Sequence, residues 1–264
     1  MSALADTLTV RGWARLTLGD AAAWTEVALA RAREVIADPG MRARWLTCED
    51  TWFVGVDALP SAPDGSVDGV PLPGTLRAAL DLPPLHPAQI SAVWPGYPRP
   101  RDGESEAAFG YRLRRDGAHL DGVLKEGGAR RVREPHAFIL GLPMTAADPG
   151  ASPLVVWERS HDILRDALSE ALSGHPPERW SEVDVTDAYT AARRAVFERC
   201  ERVPLPARPG EAILLHRLLL HGIAPWEPGA QAAPEGRIVA YFRPPCPGGV
   251  RAWLGQETLP SLSN

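Results

Sequence analysis

The chain has 264 residues, is 45% hydrophobic and carries a formal net charge of −5, so it can bury a core without disulfides or structural zinc. The mildly acidic balance and scattered basic residues argue against a nucleic-acid partner, and no apolar run nears the roughly 20 residues a membrane helix needs. Cys48, Cys200 and Cys246 show no CxxC spacing, and the first six residues lack a basic region leading into an apolar run, so a reducing cytoplasmic setting without a signal peptide is expected.

Twenty-seven prolines and 24 glycines break the chain into short elements, as in β-rich folds with long loops. In the first third, apolar residues recur at helical spacing over 21–36, with Asp20 as the expected N-cap and Asp38-Pro39-Gly40 as the stop. A loop follows over 59–73, then a short helix over 74–80. From about Gln89 the pattern changes to short strands. The first is expected over 90–94. Over 109–115, Tyr111 and Leu113 alternate with Arg112 and Arg114, the period-2 signature of a half-buried strand. The turn Asp116-Gly117-Ala118 comes next. Strands are expected over 137–142 and 154–157, helices over 162–172 and 187–200, and strands again over 212–215, at His221-Gly222 and over 237–242. The sum is a mainly β chain with helical additions, a sandwich or jelly roll. One domain is expected over 1–264: a partly helical region 1–88, then a β core 89–250 with a helical insertion at about 160–200.

His119-Leu120-Asp121, followed about a hundred residues later by His221, carries the chemistry. Side chains two apart on extended backbone point the same way, so His119 and Asp121 can reach one ion. Two imidazoles and a carboxylate suit Fe(II) and leave coordination positions open. The same ligands also bind zinc. His216, near another strand end, is the rival to His221.

These pieces together resemble the phytanoyl-CoA dioxygenase-like branch of the Fe(II)/2-oxoglutarate oxygenases. The resemblance covers roughly residues 109 to 244. It rests on Gly117-Ala-His-Leu-Asp-Gly122, on Pro153-Leu-Val-Val-Trp-Glu-Arg-Ser-His161, on Pro209-Gly-Glu-Ala-Ile-Leu-Leu-His216, on Leu220-His-Gly222 and on Arg237-Ile-Val-Ala-Tyr-Phe-Arg-Pro244, in that order. It implies a double-stranded β-helix of cupin type with Fe(II) held by His119, Asp121 and His221 inside one open end. It further implies 2-oxoglutarate as cosubstrate, with Arg237 gripping the far carboxylate and Arg243 as the rival. The implied reaction with O2 hydroxylates a small-molecule substrate and releases succinate and CO2. A carboxylate at Asp121, where related halogenases carry a small residue, favours hydroxylation. This chain has a long stretch, 226–236, between His221 and Arg237, and Glu158-Arg159 where the family more usually has glycine.

Other features have plainer readings. Ser160 is expected as an N-cap for the following helix. His136 reads as a core or cavity histidine, and His86 and His175 as solvated. Trp94 and Trp157 read as core packing or as pocket walls. Arg112, Arg114, Arg115, Arg130, Arg131 and Arg133 flank the metal loop; such a run is ordinarily a solvated face, the alternative being an entrance that draws in an anionic substrate. Two further functional readings use the same barrel: a cupin-like metal-dependent hydrolase or isomerase, and a metal-binding protein without catalysis.

Overall fold

The computed structural model describes residues 3–255. Its strands are β1 (Trp13–Thr17), β2 (Leu46–Thr47), β3 (Trp52–Leu59), β4 (Ala88–Val93), β5 (Val123–Glu126), β6 (Ala129–Val132), β7 (Phe138–Pro143), β8 (Leu154–Trp157), β9 (Arg202–Leu205), β10 (Glu211–His216), β11 (His221–Ile223) and β12 (Arg237–Phe242). A seven-stranded sheet runs in the order β1-β10-β7-β12-β4-β3-β2, and a three-stranded sheet in the order β11-β8-β9. The chain passes between them: β7 in the large sheet, β8 and β9 in the small one, then β10, β11 and β12 in alternate sheets. All these pairings are antiparallel. This is the expected double-stranded β-helix with helical additions. The first 60 residues, expected as part of a partly helical region, contribute β1, β2 and β3 to its large sheet.

Alternation along the strands sorts the side chains by face. On β12, Val239 and Tyr241 join Ile139, Leu154, Val156 and Leu215 in a cluster between the sheets. Ile238, Ala240 and Phe242 face the other way, into the larger core with Trp24, Ala28 and Ala32 of helix α2. The rings of Trp24 and Phe242 lie 6.1 Å apart. Each large side chain so buried contributes about 1.5–3 kcal/mol. The large sheet is therefore held on both faces, and its inner face is free to shape a pocket.

The helices correct several expectations. Helix α1 (Ala3–Arg11) was not foreseen, and α2 spans Ala22–Ala37. Asp20 does not cap α2. Its carboxylate accepts from the Gly74 and Thr75 amides at 2.6 and 3.2 Å, so it caps α4 (Gly74–Ala79) across 54 residues. Asp38 ends α2 and also caps α3 (Pro39–Trp45), accepting from the Met41 amide at 2.8 Å. The strand expected over 109–115 is helix α5 (Glu106–Arg114), whose cap Ser105 accepts from Ala108. Its Tyr111 and Leu113 are exposed, so the alternation had no sheet to join, and local capping decided the conformation.

Helices α6 (Ser160–Ser173) and α7 (Thr186–Arg199) form the expected insertion. Ser160 is not the cap of α6; Arg159, at φ 65°, precedes it. Ser160 is instead fully buried, and its hydroxyl accepts from the Leu220 amide at 2.9 Å, just before His221. Helix α8 (Gly249–Leu254) closes the described chain. No described helix is long and apolar enough to cross a membrane.

Gly222 sits where β11 passes closest to the metal loop. A Cβ there would stand 2.2 Å from the Asp116 carbonyl oxygen, the atom that accepts from the Ile223 amide. No side-chain adjustment relieves a clash with backbone. Gly222→Ala should therefore destabilise the protein by about 1–3 kcal/mol, read as a lowered denaturant midpoint at unchanged slope. An unchanged midpoint would mean that the loop does not rest on β11.

Candidate metal centre

The centre is built on a reciprocal backbone pair. The His119 amide donates to the His221 carbonyl at 2.8 Å, and the His221 amide donates back at 3.1 Å. Residues paired this way point their side chains to one face of the sheet, and the two imidazole centroids lie 4.5 Å apart. Asp121, two residues on, returns to the same side. Its Oδ1 is 3.2 Å from His119 Nε2 and 3.8 Å from His221 Nε2. One ligand atom from each of the three side chains falls within 4.8 Å of the others, and this is the one such metal-competent group among the described residues.

The ring orientations are set from behind. His119 Nδ1 lies 3.1 Å from the Gly117 carbonyl, and His221 Nδ1 lies 2.9 Å from the Leu219 carbonyl. A carbonyl only accepts, so each Nδ1 carries the proton and each Nε2 presents a lone pair to the centre. Burial pushes the His221 pKa down to about 4, with His119 adding to the shift and Asp121 opposing it. Burial alone would raise Asp121, but the neighbouring His119, His221 and Arg243 hold it well below the usual carboxylate range. At neutral pH His221 is therefore neutral and Asp121 an anion, and together with His119 they make a donor set that fits a divalent cation.

The loop bearing His119 and Asp121 is anchored at several points. Asp116, at φ 51°, takes a two-pronged bond from Arg202 at 2.7 and 2.9 Å. The Tyr189 hydroxyl accepts from the Leu120 amide, and Arg193 Nη2 donates to the Ala118 carbonyl at 2.7 Å. Gly122, at φ +88°, passes so close to the Glu134 carbonyl that a Cβ would lie 2.5 Å from it. No motif in the sequence marks Arg202, Tyr189 or Arg193 as anchors. Tyr189, Arg193 and Phe197 do recur at i, i+4 and i+8 of α7, a single helix face that was legible as such.

His216 is not at the centre. It lies buried against His161, ring centroids 4.6 Å apart, and its Nδ1 accepts from the Leu218 amide. Burial lowers both of their pKa values, that of His216 far below the usual range. Trp157 packs edge-on against Phe197 in the core and Trp94 lines a surface groove; Trp52 is the tryptophan at the metal cavity.

That cavity measures about 220 Å³ between the sheets. His119, Asp121 and His221 line it together with Gln89, Ser91 and Arg243, over an apolar wall that includes Ile139, Leu154 and Leu215. Arg243 Nη1 stands 3.5 Å from Asp121 Oδ2. Arg237 is not among the lining residues. It is buried on the same strand face as Val239 and Tyr241, opposite Val93, and its Nη1 has no hydrogen-bond partner. The buried hydroxyl of Ser152 is likewise without a partner. It lies at the same end of the barrel, because Ala151 bridges Trp226 and the Ala224 amide bonds to Pro153 in the segment leading to Arg237.

No protein-family model and no curated protein matches the sequence. Solved structures do match. The non-heme alpha-ketoglutarate-dependent carbocyclase SnoK from nogalamycin biosynthesis aligns at 11% identity over 92% of this chain and 84% of its own, with a TM-score of 0.50. EctD from S. alaskensis, solved with bound Fe, aligns at 17% identity over 92% and 77%, with a TM-score of 0.49. HygX from Streptomyces hygroscopicus, solved with nickel, 2-oxoglutarate and hygromycin B, aligns at 12% identity over 92% and 88%, with a TM-score of 0.44. The likeness is one of fold.

The buried histidines set an acid limit for the metal-free protein. A folded pKa of about 4 against 6.5 in the unfolded chain means that unfolding takes up a proton at His221 between those values. Stability is then complete above about pH 6.5 and falls as the pH drops toward 4. Between pH 7 and 5, His221 alone should remove about 2 kcal/mol, and His161 and His216 act in the same direction. Urea titrations of chelator-treated protein at the two pH values measure this, and equal stabilities would contradict neutral buried rings.

Proposed function

We propose that this protein is an Fe(II)- and 2-oxoglutarate-dependent oxygenase that hydroxylates a small-molecule substrate and releases succinate and CO2. The observation that carries the reading is the convergence of His119, Asp121 and His221 with both Nε2 lone pairs and one carboxylate turned to a common point. The two imidazoles and the carboxylate would hold Fe(II) by one face and leave the cavity side open. The resemblance to the phytanoyl-CoA dioxygenase-like branch and the shared fold of SnoK, described as alpha-ketoglutarate-dependent, support the choice of cosubstrate. The three cysteines are all free, which supports a reducing, cytoplasmic setting.

When bound, Fe(II) with 2-oxoglutarate supplies the oxidising power to break a C–H bond with O2. The chain's own residues do the rest. Asp121 offsets one unit of the cation's charge. The Gly117 and Leu219 carbonyls fix the imidazole tautomers. Ile139, Leu154 and Leu215 keep the cavity apolar and poor in water. A dicarboxylate needs a cation at its far end, and a buried guanidinium without a counter-ion is costly to leave alone. Arg237, with its orphaned Nη1, and the orphaned Ser152 hydroxyl fit that demand at one end of the barrel. Arg243 is the second reading, because it lines the cavity directly, although it already faces Asp121.

The test is succinate formation from 2-oxoglutarate under air with added Fe(II). Asp121→Ala and His221→Ala should abolish it. Arg237→Gln should raise the KM for 2-oxoglutarate by about 10- to 100-fold while iron still binds, the loss of one charged two-pronged contact. If Arg243→Gln does this and Arg237→Gln does not, the clamp is Arg243. Anaerobic Fe(II) with 2-oxoglutarate should give a weak visible absorption band. Tight zinc binding with neither the band nor succinate would favour a hydrolase or isomerase on the same ligands.

A further inference from the structure

A second cavity, of about 490 Å³, adjoins the metal cavity and shares Trp52, His119 and Ile223 with it. Its size lies in the range of small-molecule sites. We propose that it binds the substrate of the oxygenase reading above, and that this substrate is a small molecule carrying a phosphate monoester. The arginines Arg101, Arg115, Arg130 and Arg193 would hold the dianionic head.

The arginine run divides into two groups. Arg112 is spent on Glu104 at 2.6 Å, and Arg133 on Glu126 at 2.7 Å. Arg131 bonds the Glu182 carbonyl at 3.0 Å and does not line the cavity. Arg101, Arg115, Arg130 and Arg193 all line it, and none is ion-paired to a carboxylate among the described residues. The one carboxylate in the wall, Asp116, is already held by Arg202.

Three of these guanidinium groups are held in place by aromatic faces of α7. Arg115 lies 4.3 Å from the Phe197 ring centroid and Arg130 lies 5.0 Å from that of Tyr189. Arg193 lies 5.5 Å from both. Such seating limits the freedom a guanidinium would lose on binding an anion. Arg193 Nε is also buried without a partner. Four cations around one space repel one another until an anion enters. One carboxylate would answer a single guanidinium, whereas a phosphate monoester brings about two charges and three acceptor oxygens. Trp52 and the half-exposed Tyr111 give the remainder of the ligand an apolar bed. His119 belongs to both cavities, so a ligand anchored at the arginines would present its other end to the metal ligands.

Binding can be tested apart from turnover. The full chain, treated with chelator, is titrated in a calorimeter with phenyl phosphate, phenyl sulfate and phenol, three probes of falling charge on one ring. Affinity should fall in that order, and added salt should weaken the phosphate. Arg115→Gln and Arg130→Gln should each weaken phenyl phosphate about tenfold. Arg208→Gln, at an exposed arginine outside the cavity, should change nothing. Phenol binding as tightly as phenyl phosphate, sulfate matching phosphate, or unchanged affinity in both cavity variants would overturn the proposal. Because no iron or 2-oxoglutarate is present, a protein that makes no succinate but passes this test keeps the anion site and loses only the oxygenase reading. The reverse result removes only the phosphate.

Discussion

Two backbone hydrogen bonds between His119 and His221 hold the rest of the site in place. They join the loop to the first residue of β11, and so fix the separation of two imidazoles 102 positions apart in sequence. Everything nearby protects that pair. Ser160 takes the Leu220 amide from behind, Asp116 takes the Ile223 amide, and Gly222 lets the two backbones meet without a side chain between them. Asp121 gains its position from the same bridge, because it lies one strand period past His119. The ligand geometry is thus a property of main-chain pairing, which is stiffer than any arrangement of side chains on separate loops.

Charge is distributed to match. The metal point is the place where an anion is buried, with Asp121 held ionised by the groups around it. On the barrel side, Arg237 and Arg243 stand on the same strand face, six residues apart. On the outer side, the cations of the second cavity lie against the aromatic faces of α7. The outer space is therefore rich in guanidinium groups, while the barrel cavity sets one guanidinium, Arg243, beside one carboxylate, Asp121. In the proposed complex, one anionic ligand would meet these cations from each side. On the proposed reading, a dicarboxylate and a charged substrate would reach one ion without mixing their sites.

Much of the barrel was legible from residues alone, and the reasons for the misses are physical. The strands over 154–157 and 237–242 stand where their apolar runs place them, because both faces are buried and no other element could satisfy them. His119, Asp121 and His221 were readable because ligand chemistry restricts residue type. The stretch over 109–115 was misread because alternation on an exposed segment carries no burial to enforce it; Ser105 and the Arg112–Glu104 pair decided the helix instead. Asp20 and Ser160 both satisfy backbone amides far away in sequence, which no local capping rule can see. Strands β1 and β3 went unseen because their partners, β10 and β4, are supplied by later segments of the chain, and such pairing leaves only a weak local pattern.

The helical insertion is the part whose meaning changes most. Read as sequence, α6 and α7 are an interruption between β8 and β9. In the folded chain, α7 lies outside the small sheet and reaches the metal loop with one face. Tyr189 bonds the Leu120 amide, Arg193 bonds the Ala118 carbonyl, and Tyr189 and Phe197 together seat the cations of the outer cavity. The same three residues, spaced four apart, thus brace the ligands and shape the space beside them. A barrel whose proposed metal ligands come from one loop and one strand can keep its chemistry while the inserted helix changes. Because α7 touches loop and cavity at once, however, a change of head group at the proposed anion site would also alter the support of His119. On that proposal, selectivity and metal geometry are coupled through a single helix face.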